Sequence, residues 1–229
     1  MADTDLDVVH ADDACIVVCK PAGLPSVPGR GEHLRDCLSA RVQAQYPEAL
    51  VVHRLDMATS GLMLFARGVD AQRRLSRAFA QRQVHKRYLA VVHGGVAADA
   101  GEIDLPLMAD WPNRPKQKVD LAHGKPSLTR YRVLRRDPEA GTTDLELEPV
   151  TGRSHQLRVH LQALGHAILG DRLYASPDVQ TLAPRLMLHA QMLAFEHPVT
   201  GREIRLASKH PFIQGMATPN HLDPVIVGR

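Results

Sequence analysis

The sequence has few of the residues that build disulfide frameworks, and it has no long hydrophobic run. Its three cysteines are Cys15, Cys19 and Cys37, and an odd number of thiols cannot all pair with one another. No apolar run reaches the roughly 18–20 residues that a membrane-spanning helix needs. The acidic start "MADTDLDVVH" lacks the pattern of a secretory signal. We therefore expect a cytoplasmic protein with reduced, buried thiols and no membrane partner.

Motifs for bound metals and nucleotides are also missing from the sequence. It contains no HExxH, no cysteine–histidine pairs at ligand spacing and no GxxxxGK[ST] phosphate loop. His155 and His160 lie five residues apart on a predicted helix, so their side chains diverge by about 140° and do not easily share an ion. A GxSxG nucleophile elbow is lacking as well. We expect no metal and no other cofactor, and we set aside zinc enzymes and serine hydrolases.

Acidic residues are scarce in two stretches that are rich in arginine and lysine. Residues 67–87 contain a single acid, Asp70, and residues 114–136 contain a single acid, Asp120. Arginine supplies most of the 28 cationic residues, and its planar guanidinium suits phosphate oxygens because it donates hydrogen bonds in pairs. Two separate basic stretches favour a polyanionic partner. Arginine richness with solvated charges accounts for the composition equally well.

The pattern of apolar residues predicts more strands than helices. Strands are expected at residues 14–20, 50–53, 61–66, 84–94, 127–136 and 142–150, and two more within 185–208. Helices are expected at residues 34–45, 70–82 and 151–165, the last capped by Thr151 or Ser154 and ended by Gly165. Residues 108–126 are polar and proline-broken, and we expect an extended loop there. Because neighbouring strands mostly pair as hairpins, the pattern predicts an α+β fold with a largely antiparallel sheet.

The stretch "VHRLDMATSG" (52–61) is a short polar break between two predicted strands. It places Arg54 and Asp56 two residues apart on a loop held by a rigid scaffold, which is where functional side chains often lie. An acid in a partly dry site needs a cation to stay ionised. Asp56 is therefore a candidate functional carboxylate. The alternative is a loop aspartate that only accepts hydrogen bonds from local backbone amides.

The stretch "TGRSHQLRVH" (151–160) places Arg153 and Arg158 on one predicted helix. Arg158 follows Leu157, at the edge of the face that the helix buries. A partly desolvated arginine at that edge needs a carboxylate, and Asp56 is a candidate, although spacing alone does not establish the pair. The alternative is a cationic surface helix.

Five motifs together resemble the RluA family of pseudouridine synthases. They are "KPAGLPSVPG" (20–29), "HRLDMATSG" (53–61), "KRYLAVVHG" (86–94), "TGRSHQLRVHLQALGHAILGD" (151–171) and "RLMLHA" (185–190). The resemblance extends over residues 8–212. It implies the pseudouridine synthase fold, a largely antiparallel mixed sheet with flanking helices and a central catalytic cleft. We expect a single catalytic domain over residues 1–229. The N-terminal S4-type RNA-binding domain of many relatives is not expected here.

The resemblance implies roles for five residues through their motif positions. Asp56 matches the catalytic aspartate, and Tyr88 matches the tyrosine that packs against the target base. Arg158 matches the arginine that pairs with the aspartate. Arg54 matches the arginine that fills the gap left by the flipped base, and Leu188 matches an apolar residue of the pocket. The implied activity is isomerisation of uridine to pseudouridine in RNA.

The basic loop "DWPNRPKQKV" (110–119) and "GKP" (124–126) resemble the corresponding segments of the dual-specificity member of that family. That member acts on a loop uridine of 23S ribosomal RNA and on an anticodon-loop uridine of tRNA. We expect RNA stem-loops as partners of a monomeric protein, with RNA contacts from four basic residues: Arg114, Lys116, Lys118 and Arg153.

Two alternatives remain within this family resemblance. One is a family member that acts on a different ribosomal RNA site. The other is a noncatalytic RNA-binding relative, which we would expect to lose at least one of Asp56, Tyr88 and Arg158. All three are present in the sequence, which favours an enzyme.

Overall fold

The computed structural model describes residues 6–29, 31, 35–209 and 212. The described part of the chain divides into two compact units: the described residues of 6–86 and 190–209 form the first, and residues 87–189 and 212 form the second. Among the described residues, no helix is both long and apolar enough to cross a membrane. The prediction of one catalytic domain over residues 1–229 concerns both units together and stays a prediction.

Strands dominate the described part of the chain. In chain order they are β1 (Val8–Ala11), β2 (Cys15–Lys20), β3 (Ala49–Val51), β4 (Ser60–Arg67), β5 (His85–His93), β6 (Ala100–Asp104), β7 (Leu107–Ala109), β8 (Gln117–Val119), β9 (Leu128–Asp137), β10 (Thr142–Pro149), β11 (Leu188–Glu196) and β12 (Glu203–Ala207). The helices are α1 (Leu38–Gln45), α2 (Val69–Ala80), α3 (Gln156–Ala163) and α4 (Pro177–Thr181).

The first unit is built on strands in the order β1-β2-β4-β11, with β3 also pairing with β4 and β12 with β11. Its core lies between β2, β4 and α2, which buries Ala71 and Leu75 as the helical spacing predicts. Gly61 has a φ of +115°, and a Cβ there would lie 2.2 Å from the carbonyl oxygen of Ala190, so no other residue fits. The helix predicted over residues 34–45 begins only at Leu38, and Leu34 lies outside the described residues.

The second unit contains the strand order β5-β10-β9-β6, and each neighbouring pair in that order is antiparallel. The predicted pair of residues 127–136 and 142–150 is confirmed as β9 and β10. Tyr88 of β5 lies opposite Leu147 of β10. The largely antiparallel α+β fold expected from the sequence is therefore confirmed.

The prediction of an extended loop over residues 108–126 is wrong, because part of this segment folds as a hairpin. β7 and β8 pair antiparallel, with Leu107 opposite Val119, and a 3-10 turn (Trp111–Asn113) lies between them. Leu107 and Val119 pack in an apolar cluster with Val159 of α3. These two apolar residues anchor a segment that otherwise contains many polar residues.

The helix expected over residues 151–165 begins later than predicted from Thr151 or Ser154 as the N-cap residue. It starts at Gln156, and His155 is the N-cap residue, in the left-handed region with a φ of 54°. Thr151 instead donates to the Gln156 side-chain oxygen at 2.7 Å, and that oxygen also accepts from the Arg153 backbone N–H at 3.0 Å. Gly165 does follow the helix, with a φ of +92°. Neither Thr151 nor Ser154 is therefore the N-cap residue, and no side chain caps the start of this helix.

Candidate active site

Asp56 lies half-buried in the loop between β3 and β4, where the sequence predicted it. Its backbone carbonyl accepts a hydrogen bond from the Thr59 N–H at 3.1 Å, which closes a turn around it. Leu55 on one side is buried, while Arg54 is exposed. The loop therefore has one residue anchored in the core directly before the carboxylate.

Hydrogen bonds from residues 23–26 hold both sides of the Asp56 turn. The buried Ser26 hydroxyl donates to the Leu55 carbonyl at 2.7 Å and accepts from the Leu55 N–H at 3.0 Å. On the other side, the Gly23 N–H donates to the Met57 carbonyl at 2.8 Å. Asp56 is thus bracketed by fixed neighbours, which is how a turn keeps a reactive side chain in position.

Lys20 adds a buried cation beneath the same turn. Its side chain is fully buried, and Nζ donates to the carbonyls of Pro21 at 2.8 Å, Leu24 at 2.8 Å and Met57 at 3.0 Å. Buried ammonium groups need such acceptors. Lys20 therefore ties the loop after β2 to the turn that contains Asp56.

His53 has a structural role at the start of the same loop. Its Nε2 accepts from the Leu64 N–H at 3.0 Å, and its ring stacks on Phe79 at a centroid distance of 4.4 Å. Burial, with a smaller contribution from the Lys86 cation, lowers the pKa of His53 to about 3. The ring is therefore neutral, with its proton on Nδ1.

Arg158 forms a bidentate ion pair with Asp171 inside the second unit. Nε donates to Oδ2 at 2.8 Å and Nη2 donates to Oδ1 at 2.7 Å. The side chains are only 5% and 1% exposed, so the pair is almost fully removed from solvent. Oδ1 of Asp171 also accepts from the backbone N–H groups of Leu173 and Tyr174, at 2.9 and 3.2 Å. The Asp171 carboxylate is therefore saturated with donors.

The sequence analysis missed Asp171, although it recognised that a desolvated Arg158 needs a carboxylate. Arg158 is buried rather than at the edge of the buried face. Asp171 follows Gly170, whose φ is +71° and where a Cβ would lie 2.0 Å from the Arg185 carbonyl oxygen. A glycine–aspartate pair shortly after a helix with a buried arginine was the signal that could have identified it. The predicted pairing of Arg158 with Asp56 is not tested by this contact and stays a prediction.

Tyr174 links the start of α3 to the β7–β8 hairpin. Its hydroxyl accepts from the Gln117 N–H at 2.8 Å and shares a hydrogen bond of 2.6 Å with His155 Nδ1. Its ring lies 5.0 Å from the guanidinium carbon of Arg158. One buried phenol therefore connects the hairpin, the helix cap and the ion pair.

Three other residues with predicted roles lie in the second unit. Tyr88 is half-buried on β5, and Leu188 is buried at the start of β11. Arg153 is exposed before α3 and donates from Nε to the Pro126 carbonyl at 3.3 Å. Asp56 and Arg54, by contrast, belong to the first unit. None of these contacts tests the predicted roles, which stay predictions.

The basic residues of the β7–β8 hairpin are distributed along its tip and second strand. Arg114 is exposed, and its guanidinium lies 3.6 Å from the ring centroid of Trp111. Lys118 is also exposed, with Nζ 3.7 Å from an Asp120 carboxylate oxygen. Lys116 is half-buried. The hairpin therefore presents cationic groups to solvent, with Lys118 partly neutralised.

One group of side chains in the described part of the chain has the composition of a metal site. It consists of His10, Asp12 and Cys15 in the first unit. Asp12 Oδ1 accepts from the N–H groups of Ala14 and Cys15, and Oδ2 is 2.8 Å from His10 Nε2. Burial raises the pKa of Asp12, but these hydrogen bonds outweigh it and lower that pKa to about 2. The carboxylate already has its full set of donors.

The neighbouring His197 and the thiol of Cys15 also argue against a metal bound by His10, Asp12 and Cys15. His197 Nε2 lies 3.2 Å from Asp12, and its Nδ1 accepts from the Val199 and Thr200 N–H groups. In a neutral ring Nε2 therefore holds the proton and has no lone pair for a metal. Burial raises the pKa of Cys15 to about 12. The group fits a hydrogen-bonded cluster better than a metal site.

Comparisons with known proteins agree with this fold and these motifs. A family model described as RNA pseudouridylate synthase matches residues 14–163. The dual-specificity RNA pseudouridine synthase RluA of Pasteurella multocida is 52% identical over 198 residues, covering 86% of this chain and 90% of that protein. The protein of the same name from Escherichia coli strain K12 is 50% identical over 207 residues, covering 90% and 94%.

Solved structures show the same architecture. Human RNA pseudouridylate synthase domain containing 1 is 29% identical with a TM-score of 0.78, over 92% of this chain and 85% of that one. Human RNA pseudouridylate synthase domain containing 4 is 26% identical with a TM-score of 0.72, over 89% and 88%. Because the family model matches more than half of the sequence and relatives about 50% identical align with some 90% of it, the chain belongs to the RNA pseudouridylate synthase family and is an RNA pseudouridine synthase, an isomerase.

Proposed function

We propose that this protein isomerises specific loop uridines to pseudouridine in two RNAs, 23S ribosomal RNA and the anticodon loop of a tRNA. The support is the match to relatives named as dual-specificity enzymes, along 86% and 90% of this chain. It acts on stem-loops, because a loop nucleotide leaves its stack at a lower energetic cost than a paired one.

The observation that carries the assignment of Asp56 is the hydrogen bonding of its turn by Ser26, Gly23 and Lys20. The reaction breaks N1–C1′, rotates the uracil and joins C5 to C1′, after which C5 loses a proton and N1 gains one. Asp56 supplies the carboxylate, either attacking C1′ or removing the C2′ proton. Substrate and product have the same composition, so the reaction consumes no co-reactant and we assign no cofactor.

Three further residues serve the flipped nucleotide in this proposal. The half-buried Tyr88 offers an aromatic face to the uracil and a hydroxyl that can take the C5 proton, directly or through water. The buried Leu188 lines the pocket. The exposed Arg54 fills the space that the flipped base leaves in the RNA.

We assign Arg158 the role of charge partner of Asp56. A guanidinium has five N–H donors, so two hydrogen bonds to Asp171 do not exhaust it. Asp171 orients the guanidinium plane and balances its charge during burial. Arg158 then acts as an oriented donor rather than as a mobile cation.

Binding of the RNA backbone is assigned to four basic residues, Arg114, Lys116, Lys118 and Arg153. We further propose that the protein works as a monomer in the cytoplasm. Its three cysteines are free, and burial raises the pKa of Cys15 to about 12 and that of Cys19 to about 11, which suits a reducing compartment.

The test is tritium release from C5-labelled uridine in transcripts of the two stem-loops. Wild-type protein should release tritium from both, with and without EDTA, once RNA folding is held constant. Asp56→Asn should release none while binding RNA within about tenfold of wild type, because phosphate contacts supply most of the affinity. Asp70→Asn is the matched control, since Asp70 is a 92% exposed aspartate on α2.

The outcomes separate the alternatives. Turnover by Asp56→Asn would overturn the assignment of the carboxylate. If tritium is released from labelled total ribosomal RNA but from neither stem-loop, the protein is a family member that acts on another ribosomal RNA site. Loss of activity in EDTA that one divalent ion restores would show a metal requirement.

A further inference from the structure

Trp111 is the single tryptophan of the chain, and it lies exposed at the tip of the β7–β8 hairpin. Trp111 is 62% exposed, which is high for a large aromatic residue. Isolated exposed apolar residues are common. An exposed indole among basic residues, on an ordered tip, is a more specific arrangement.

The tip that carries Trp111 is held by its own hydrogen bonds. The Asn113 N–H donates to the Asp110 carbonyl at 3.0 Å, and the Lys116 N–H donates to the Asn113 carbonyl at 3.0 Å. The Asp110 N–H in turn donates to the Lys116 carbonyl at 2.9 Å, and the Asn113 side chain donates to the Asp110 carboxylate at 2.9 Å. Trp111 is therefore presented from a closed turn.

The base of the hairpin is anchored in the second unit. Leu107 and Val119 pack with Val159 and Tyr174, and the Gln117 N–H donates to the Tyr174 hydroxyl at 2.8 Å. The tip therefore has a fixed position relative to α3. An aromatic ring on a preorganised element loses little conformational entropy when a ligand stacks on it.

Arg114 completes the arrangement by stacking on the indole. Its guanidinium carbon lies 3.6 Å from the ring centroid, which is a close cation–π contact. The guanidinium lies over one face of the ring, while Trp111 as a whole keeps 62% of its surface exposed. Lys116 and Lys118 lie on the same hairpin, and the nearby Asp110 carboxylate already accepts from Asn113.

We propose that Trp111, backed by Arg114, is a stacking platform for an unpaired base of the RNA stem-loop other than the target uridine. The inference rests on the proposed function, in which the ligand is a structured RNA loop. A base offers a flat π-face, and the phosphates on either side of it match the cations of the hairpin. The platform would therefore recognise unpaired nucleotides without reading a particular base.

The platform can be tested directly because tryptophan fluorescence reports on this residue alone. Titration with either stem-loop should quench the emission, whereas a blunt-ended duplex of equal length and charge should leave it nearly unchanged. Trp111→Ala should weaken stem-loop binding by roughly 5- to 150-fold, the usual effect of removing a stacking aromatic, and Trp111→Phe should retain most of the affinity. Leu121→Ala is the matched control, because Leu121 is 80% exposed in the loop after β8.

Unchanged emission at saturating stem-loop, or wild-type affinity in Trp111→Ala, would overturn the platform. Equal quenching by the duplex would also overturn it, since that result would reflect charge rather than base stacking. Thermal unfolding of each variant checks that the fold is intact. Failure of the proposed function has a different signature: wild-type protein would release no tritium from either stem-loop, whatever the fluorescence shows.

Discussion

Arg158 and Asp171 form a bidentate, almost fully buried ion pair between α3 and the segment 13 residues further along the chain. The arginine that the family resemblance assigns to catalysis therefore has a structural partner of its own. Arg158 also has a proposed role as charge partner of Asp56, so a loss of activity in an Arg158 variant has two possible causes: loss of the fold or loss of that partner. Replacing both Arg158 and Asp171 separates these two causes.

Arg158→Met and Asp171→Asn should each lower the free energy of unfolding by about 3–5 kcal/mol, because each leaves a buried charge without its partner. The double variant should be more stable than the sum of the two effects predicts, since it leaves no unpaired charge. Urea unfolding of all four proteins measures this coupling.

Single-turnover tritium release from the same proteins tests the catalytic role. The double variant should recover stability without recovering the rate, because Arg158 is still missing. Recovery of turnover together with stability would show that Arg158 serves the fold alone.

Ser26→Ala should damage the turn that contains Asp56. The buried Leu55 N–H and carbonyl would each lose a partner, at about 1–3 kcal/mol for an unsatisfied group. We expect a lower single-turnover rate with RNA affinity preserved. Ser176→Ala is the control, because Ser176 is exposed and its side chain makes no capping bond. If Ser26→Ala keeps both the stability and the rate of wild type, the hydroxyl does not position Asp56.

His53 should make stability depend on pH below about 6.5. Its pKa falls from 6.5 to about 3 on folding. Between these two pH values, His53 is therefore protonated in the unfolded chain and neutral in the folded chain. The contribution of the neutral His53 ring to the free energy of unfolding is complete above pH 6.5. It is lost as the pH falls toward 3, and the free energy of unfolding then decreases by up to about 1.4 kcal/mol per pH unit. Urea unfolding between pH 7 and 5 should give a shallower slope for His53→Gln, which keeps an acceptor for the Leu64 N–H. Parallel slopes would contradict the assignment of a neutral ring.

Replacing Arg114, Lys116 and Lys118 together with alanine should weaken RNA binding and reduce its salt dependence. The slope of log K against log salt should fall by about 0.7–0.9 for each phosphate that the protein no longer neutralises. Among the single variants, Lys118→Ala should have the smallest effect, because Asp120 already lies 3.7 Å from its ammonium.

The control for that experiment removes three positive charges elsewhere. Arg41, Arg73 and Arg205 each pair with an acidic neighbour in the first unit, and their replacement with alanine changes the net charge equally. Equal changes of slope in both triple variants would show that the hairpin cations contribute only through net charge.

The sequence by itself determined the family, the fold class and most of the elements. Alternating and helical spacing of apolar residues is a local property, so β9, β10 and α2 were predicted near their true bounds. The loop around Asp56 was also recognisable, because a short polar break between two apolar runs is typical of a turn between strands. Gly165 was correctly predicted to follow α3, because glycine readily adopts the left-handed conformation at the end of a helix.

Only the tertiary structure decided which groups satisfy the buried polar atoms. The need of Arg158 for a carboxylate was evident from the sequence, but the spacing along the chain did not identify Asp171 as its partner. The same holds for the Thr151 hydroxyl, which donates to the Gln156 side chain instead of capping the helix, and for the hairpin at residues 107–119. Apolar periodicity is encoded locally, whereas the partner of a buried donor is set by contacts between distant segments, which spacing along the chain does not specify.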